Sequence, residues 1–480
     1  MKFKLTITNS VTRLTDPEED TAAFLKDALT NSYKVFEPRI RGYVFKEWSL
    51  YNERMHAFPV GVTGLVRKAI VSEGHELELV DTRVLPAIPD MTALDRLKVP
   101  LRDYQREAVE VLLKRPCGIL QAATASGKGN VAVGLVACLP QVKWLILINR
   151  ETLLKQIVDR FAAVAGDTLA VGTVTADKWS PSDVTVATFS GILTQSKKMP
   201  GVKAWLQSVQ AVLCDETHTS AASTFAAVVS ACVGAPYRYG MSGTPLDRSD
   251  HKALMVVGLF GPIVHRISAG ELIESGHVSK PNIRMVRFTQ QYGFAQKWAA
   301  IYRHQICDNK HRNQLIVEVI KKADKPCIVF AERIEHIREL VQRCVRAGMS
   351  TEHFDGTMQY AARDRLIADV KLGRVDVLVA SVAGQEGMDI PCLASVVLAG
   401  AGKGVIGTVQ KLGRGMRIAP GKDAYDVYDV HDIGGALERQ AQKRKKTYEA
   451  EGHDVTILSW QELNKELSDG AGNETRPADA

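Results

Sequence analysis

The stretch Gly118–Asn130, GILQAATASGKGN, decides how the rest of the chain is read. Its first four residues are an apolar run of the kind that fills a buried strand. The next residues are small, and the sequence resumes an apolar, helix-compatible pattern after Lys128. A strand, a small-residue loop and a helix make an anion cradle. Backbone N–H groups and the positive end of the helix face phosphate oxygens, and Lys128 can reach the β- and γ-phosphates. Thr124, Ala125, Ser126, Gly127, Lys128, Gly129 and Asn130 are the candidate lining of that cradle. Two positions depart from the pattern GxxxxGK[ST]: Ala122 stands at the first glycine, and Gly129 replaces the hydroxyl residue that binds Mg²⁺. A small-residue turn entering any helix gives a similar string, so the loop needs company.

That company is CDETH, residues 214–218, directly after the apolar run Ala211–Leu213. An acidic pair at the exposed end of a buried strand suits a nucleotide–metal site. Asp215 can hold Mg²⁺ through water, and Glu216 can orient and deprotonate an attacking water. His218 can tie that site to the rest of the molecule. Around these motifs, apolar runs alternate with helical stretches: Cys117–Gln121, Trp144–Ile148, Val184–Thr188 and Ala211–Cys214. From about Arg312 the pattern resumes with Pro326–Phe330, Val375–Ala380 and Ser395–Leu398. Such alternation predicts an α/β fold, each unit a parallel sheet covered by helices. A chain of 480 residues is too long for one ordinary domain, so two such units are expected.

Composition narrows the class. Hydrophobic residues at 45% and charged residues at 24% are ordinary for a globular protein, and no run reaches the roughly 20 apolar residues of a membrane span. The first twenty residues turn polar and acidic too soon for a secretory signal. Eight cysteines stand singly, without a CxxC pair, which speaks against structural zinc or a disulfide scaffold and for a reducing cytoplasm. A net charge of +7 permits a polyanionic partner without demonstrating one.

With SGTP at 242–245, the ordered motifs resemble those of superfamily 2 helicases. LRDYQ, 101–105, is similar to the segment whose arginine and glutamine, here Arg102 and Gln105, read an adenine edge. NRETLLKQ, 149–156, and VATFS, 186–190, look like nucleic-acid-contact motifs, with Arg150 and Thr188 as the contacts. VFAER, 329–333, resembles motif IV and adds Arg333. SVAGQEGMDIP, 381–391, resembles motif V, which implies Gly387 and Asp389 near the nucleotide. QKLGRGMR, 410–417, matches motif VI and contributes Gln410, Arg414 and Arg417. An arginine's planar fork stays charged and pairs with phosphate oxygens. One of these two arginines would be the arginine finger, a residue typically worth about 10³–10⁵ in rate. The resemblance thus implies two RecA-like motor domains and ATP and Mg²⁺ as cofactors. It also implies a catalytic set of Lys128, Asp215, Glu216, His218, Arg414 and Arg417.

Residues 33–68 carry seven Lys/Arg against three Glu, interleaved with aromatics, and resemble the small N-terminal DNA-binding domain of phage UvsW-type helicases. Arg39, Arg41, Lys46, Trp48 and Arg54 are the candidate DNA contacts there, although an ordinary folded domain with a solvated basic face would read alike. The expected organisation is a small α+β N-terminal domain at 1–90, a first motor domain at 91–275 and an interdomain connection at 276–311. A second motor domain follows at 312–458, and a disordered tail at 459–480. A basic run, Lys443–Lys446, falls in an expected C-terminal helix. The resemblance implies an ATP-dependent helicase or translocase acting on forked or branched DNA, R-loops included, in a cytoplasm (a host's, if phage-encoded). Recombination, repair and replication are the implied settings. Two alternatives share the motifs: a hydrolysis-poor nucleic-acid clamp, which Gly129 suggests, and the motor subunit of a restriction or defence complex.

Overall fold

The alternation in KFKLTI makes the first strand, Lys2–Ile7: Phe3, Leu5 and Ile7 point inward and are buried, while the lysines face out. That strand pairs antiparallel with Val11–Thr15 and parallel with Glu76–Asp81, in a four-stranded sheet closed at its other edge by Ala57–Pro59. Helices Glu19–Ala28 and Thr63–Ser72 bury Leu25, Val66 and Ile70 into the same core. A second, two-stranded ribbon, Thr30–Glu37 with Gly42–Ser49, is separate from that sheet. The computed structural model describes residues 1–37, 42–166, 169–219, 223–247, 252–289, 297–356, 358–381, 388, 390–400, 402, 407, 412–413, 415–419 and 422–470.

Continuous apolar runs become central strands, as expected where helices cover both faces of a parallel sheet. WLILI at Trp144–Ile148 and VTVAT at Val184–Thr188 are buried along their whole length. Among the described residues the first large sheet has eight strands. In spatial order they are Trp179–Ser180, Val171–Val174, Val184–Thr188, Trp144–Ile148, Ala211–Asp215, Tyr237–Ser242, Cys117–Ala122 and Ile263–Ile267. Every pairing is parallel except that of the short edge strand Trp179–Ser180. The second sheet has seven strands, all parallel, in the order Thr351–Phe354, Val377–Ser381, Cys327–Ala331, Ser395–Leu398, Ala424–Ile433, Lys280–Thr289 and Val455–Leu458. Among the described residues no helix is long and apolar enough to cross a membrane.

The chain divides into two compact units, 1–122 with 127–267, and 268–480 with 123–126. Three expected boundaries meet structure that the sequence does not show. Residues 1–90 fall in one compact unit with the first large sheet. The connection at 276–311 contains the strand Lys280–Thr289, which pairs along its full length with Ala424–Ile433. Its charges and Pro281 conceal the strand in the sequence, yet Ile283, Met285 and Val286 are buried. The tail at 459–480 begins with the helix Trp460–Gly470, whose Leu463 is fully buried in the second core. Ser459 and Glu462 form a capping box there, with Glu462 accepting from the Ser459 N–H at 2.7 Å. Residues 471–480 of the expected tail lie outside the described residues.

Docking of the N-terminal module onto the first sheet is close. A Cβ added to Gly61 would lie 2.0 Å from the Val257 carbonyl oxygen and 2.6 Å from the Gly261 nitrogen. Leu254, Met255 and Val257 pack into the module's own core. The fully buried Arg238 donates to the Asn9 carbonyl at 3.0 Å and to the carbonyls of Ala235, Val229 and Cys232. We expect Gly61→Ala to destabilise the protein by about 1–3 kcal/mol, as overpacking does. Chemical denaturation would measure it, and a wild-type midpoint would show that the two surfaces are not pressed together at this glycine.

Candidate phosphate-binding and hydrolytic site

Three neighbouring parallel strands bring the motifs to one edge. Asp215 pairs with Met241 and Ser242 with Gln121, so the C-terminal ends of Ala211–Asp215, Tyr237–Ser242 and Cys117–Ala122 lie level. Ligands of open α/β sheets bind beyond such strand ends. After Ala122 the chain turns through Ala125, at φ 67°, and Gly127, at φ 80°, before the helix Lys128–Cys138 begins. The Ser126 N–H donates to the Ala123 carbonyl and that of Asn130 to the Gly127 carbonyl, which tightens the loop. Lys128 Nζ donates to the Ala122 carbonyl at 3.3 Å and so lies folded over the loop it is expected to serve.

The left-handed backbone at 127 favours glycine, and a Cβ there would come 2.3 Å from Gln105 Nε2 at the end of its side chain. The buried Gln105 amide therefore abuts the loop, and its Oε1 accepts from the Arg102 N–H at 3.2 Å, fixing the start of the helix Asp103–Leu113. Arg102 itself is exposed and reaches the Tyr104 hydroxyl. Among the described residues, a Cβ at Gly129 would meet Arg160 Cγ at 3.4 Å, an ordinary contact. The residue that departs from the motif is thus not held to glycine by space.

The acidic motif is drawn into a network. Glu216 sits at φ 50°, a strained conformation for a non-glycine residue and one that tends to occur at functional sites. Ser242 Oγ donates to Glu216 Oε2 at 3.2 Å, and His218 Nδ1 lies 3.0 Å from Ser242 Oγ and 3.3 Å from Glu216 Oε2. Thr217 donates to the Met241 carbonyl at 2.9 Å and locks the turn to the next strand, where its side chain leaves room only for glycine at 240. Asp215 accepts from the Glu216 N–H at 3.0 Å. Burial and the Glu216 charge push the Asp215 carboxyl above its ordinary range. Burial also works to raise Glu216, but the His218 hydrogen bond, the Lys128 charge and the Ser242 hydroxyl outweigh it and hold this carboxylate low. The surroundings thus push the two neighbouring carboxyls in opposite directions. No cluster of three or more metal-ligating side chains occurs among the described residues. That donor set fits Mg²⁺, which is held by one or two carboxylates with substrate phosphates rather than by an all-protein cage.

The remaining candidates are placed as follows. Thr188 is buried and accepts the Gly191 N–H at 3.0 Å as a helix cap. Arg150 is exposed at the start of the helix Glu151–Ala165. Arg333, in the second unit, lies over the Tyr302 ring at 5.4 Å. The Arg417 carbonyl accepts from Lys422 Nζ at 3.1 Å. In the N-terminal module Lys46 and Arg54 are exposed, whereas Trp48 packs against the core with its indole N–H buried. Arg39, Arg41, Gly387, Asp389, Gln410 and Arg414 lie outside the described residues.

Two residues enter that the motif reading left out of the site. Ser242 links Glu216 to His218, and its place at the end of a strand in SGTP was the available signal. Lys422 Nζ donates to the carbonyls of Gly415 at 2.6 Å, Pro391 at 3.0 Å and Arg417, gathering the turn that carries the second arginine. Burial draws its pKa down to about 8. No spacing in the sequence announces it.

Comparison with known proteins adds two family matches. Residues 98–247 match the type III restriction enzyme res subunit family, and residues 310–419 match the helicase conserved C-terminal domain. Helicase 22 of Sulfolobus islandicus filamentous virus is 25% identical, over 72% of this chain and 65% of its own. The chain thus spans just under two thirds of that relative. The DNA 3'-5' translocase XPB2 of Sulfurisphaera tokodaii is 26% identical over 73% of this chain and 85% of its own. The ATP-dependent DNA helicase uvsW of Enterobacteria phage T4 is 23% identical over 72% and 70%. Among solved structures, S. cerevisiae Dbp5 bound to RNA and ADP BeF3 superposes with a TM-score of 0.55 at 16% identity, covering 78% of this chain and 93% of Dbp5. The two parallel sheets are therefore RecA-like domains.

The two glycines of the loop should behave oppositely. Gly127→Ala should lose about 1–3 kcal/mol of stability to backbone strain and abolish binding of a fluorescent ATP analogue, because Gln105 must move. Gly129→Thr should melt like the wild type and bind the analogue at lower Mg²⁺ concentration, since it restores a hydroxyl ligand. Matching behaviour of the two variants would contradict this reading of the loop.

Proposed function

We propose that the chain is a superfamily 2 helicase related to UvsW and that it uses ATP to unwind or translocate along forked or branched DNA. Branch migration and the remodelling of forks or R-loops are the reactions this reading assigns to it. The observation that carries the hydrolytic part is the Glu216 carboxylate, held between Ser242 and His218 at the strand edge that also presents the Lys128 loop.

In this mechanism Lys128 and the loop N–H groups bind the outer phosphates of ATP, and Gln105 holds the loop in shape. Asp215 would hold the Mg²⁺, which would supply charge to offset that of the phosphates. Glu216, held ionised, accepts a proton from the attacking water. Ser242 and His218 keep its carboxylate aimed and report its state to the rest of the domain. Arg414 and Arg417 are the candidates for the arginine finger, and Lys422 positions the turn that carries Arg417. Because DNA contacts in such a motor are to phosphates, binding should be sequence-independent and weaken steeply with salt. The intact acid pair favours a working motor over a passive clamp, since a clamp has no use for an ionised base beside a phosphate loop.

Glu216→Gln should keep ATP binding and lower turnover by about 10²–10⁴, the usual worth of a general base. Phosphate release and analogue binding measured on the same protein check it; equal loss of both would give the carboxylate a structural role instead. Strand release from a fork, a four-way junction and an R-loop, each with ATP, tests the substrate. Rates no faster than on a blunt duplex of equal length would overturn the branched-DNA assignment.

A further inference from the structure

The two-stranded ribbon of the N-terminal module has two unlike faces. Pairing sets Lys34 opposite Phe45, with Tyr43 two residues from Phe45 on the same side of Gly42–Ser49. Tyr43 is 63% and Phe45 73% exposed. Between them stands Lys34, its Nζ 5.0 Å from the centre of the Tyr43 ring and 5.8 Å from that of Phe45. On the other face, Trp48 turns inward against the module's core, which anchors the ribbon at its base. Leu50 and Leu29, at the two strand feet, are buried in that core and bonded backbone to backbone at 3.1 Å.

An exposed pair of rings on a polar ribbon is costly unless something covers it. On the same face the pairing sets Ser32 opposite Glu47, to which the Ser32 hydroxyl donates at 2.8 Å. What this side of the ribbon offers is two aromatic faces about 7 Å apart along the strand and an ammonium group between them. In sequence, residues 30–49 carry Lys34, Arg39, Arg41 and Lys46 against Glu37 and Glu47, so the charge favours a polyanion. Flat faces beside a cation match the bases and phosphates of an unpaired strand. Duplex DNA, whose bases are already stacked, gives the rings nothing to stack on.

We propose that Tyr43, Phe45 and Lys34 form a stacking platform for the unpaired nucleotides of single-stranded DNA or RNA. It is a site separate from the strand-edge motifs, and it rests on the nucleic-acid reading given above. The rings take one base each and Lys34 pairs with the intervening phosphate. Because the module is fused to the first motor sheet through Gly61 and Arg238, a strand captured there is held at a fixed place relative to that sheet. The platform reads no sequence, since every base has a π-face.

The test uses the full chain, fluorescein-labelled oligothymidine, a labelled blunt duplex of equal length, and three double variants. Tyr43→Ala with Phe45→Ala should weaken oligothymidine binding roughly tenfold or more, and should weaken duplex binding by much less. Tyr43→Leu with Phe45→Leu keeps apolar area but removes the π-faces, and should lose as much. Tyr43→Phe with Phe45→Tyr should bind as the wild type does. In the wild type, 5-iodouracil placed in the oligonucleotide should cross-link within residues 42–49. Retained binding in the leucine pair would show that the face is a hydrophobic dock, and retained binding in the alanine pair would remove the platform. Either result leaves the motor reading standing, whereas a wild-type protein that bound neither probe would sink that reading as well.

Discussion

The registered pairing of three parallel strands is the constraint on which the site depends. Because Ala211–Asp215, Tyr237–Ser242 and Cys117–Ala122 end level, an acid pair, a serine and a phosphate loop from three distant parts of the sequence meet at one edge. A register slip of one residue would turn each strand's side chains to the opposite face, and Asp215 and Ser242 would no longer meet. The buried runs VLC and YGM make such a slip costly, since they fill both faces of the sheet. The stability of the apolar sheet in turn carries the strain at its rim, where Glu216 and Ala125 hold left-handed backbones.

Polar anchoring plays the corresponding part in the second sheet. Arg312 meets Asp432 through two hydrogen bonds with both side chains fully buried, and also donates to the Ala399 carbonyl. Arg444 meets Asp429 in the same forked way, with the Tyr448 hydroxyl donating to that carboxylate. Both acids lie on the strand Ala424–Ile433, so two helices are tied to one strand by charge. Removing one partner of such a pair strands a buried charge and typically costs about 3–5 kcal/mol. These pairs specify where the helices sit more than they add net stability. Lys422, just before the same strand, extends the scheme to the motif that carries Arg417.

Much of this was legible in the sequence. The strands Trp144–Ile148, Val184–Thr188 and Ser395–Leu398 have the bounds that their apolar runs predict, because a fully buried strand has no other way to be written. The strand Lys280–Thr289 was not legible, since it alternates irregularly and begins with Lys-Pro. Nor were the buried pairs: DVYDVHD looks like a half-solvated strand, and Lys443–Lys446 like a solvated basic face, yet Arg444 is only 3% exposed. A charge is buried when a distant partner reaches it, and the sequence does not record that distance. The same holds within the site. Lys128, Asp215 and Glu216 announce themselves by local pattern, whereas Lys422 acts through three carbonyls that only the fold gathers. In the N-terminal module the aromatic–basic composition marks out a segment, but only the pairing register separates the inward Trp48 from the outward Tyr43 and Phe45.

The central claim is that this strand edge hydrolyses ATP in response to nucleic acid. Phosphate release by the full chain, with and without forked DNA, measured beside Lys128→Ala, tests it most directly. Lys128 reaches over the loop and supports no core, so the variant should melt at the wild-type temperature. The account predicts DNA-stimulated release in the wild type and background release in the variant. A variant of unchanged stability that released phosphate at close to the wild-type rate would contradict it.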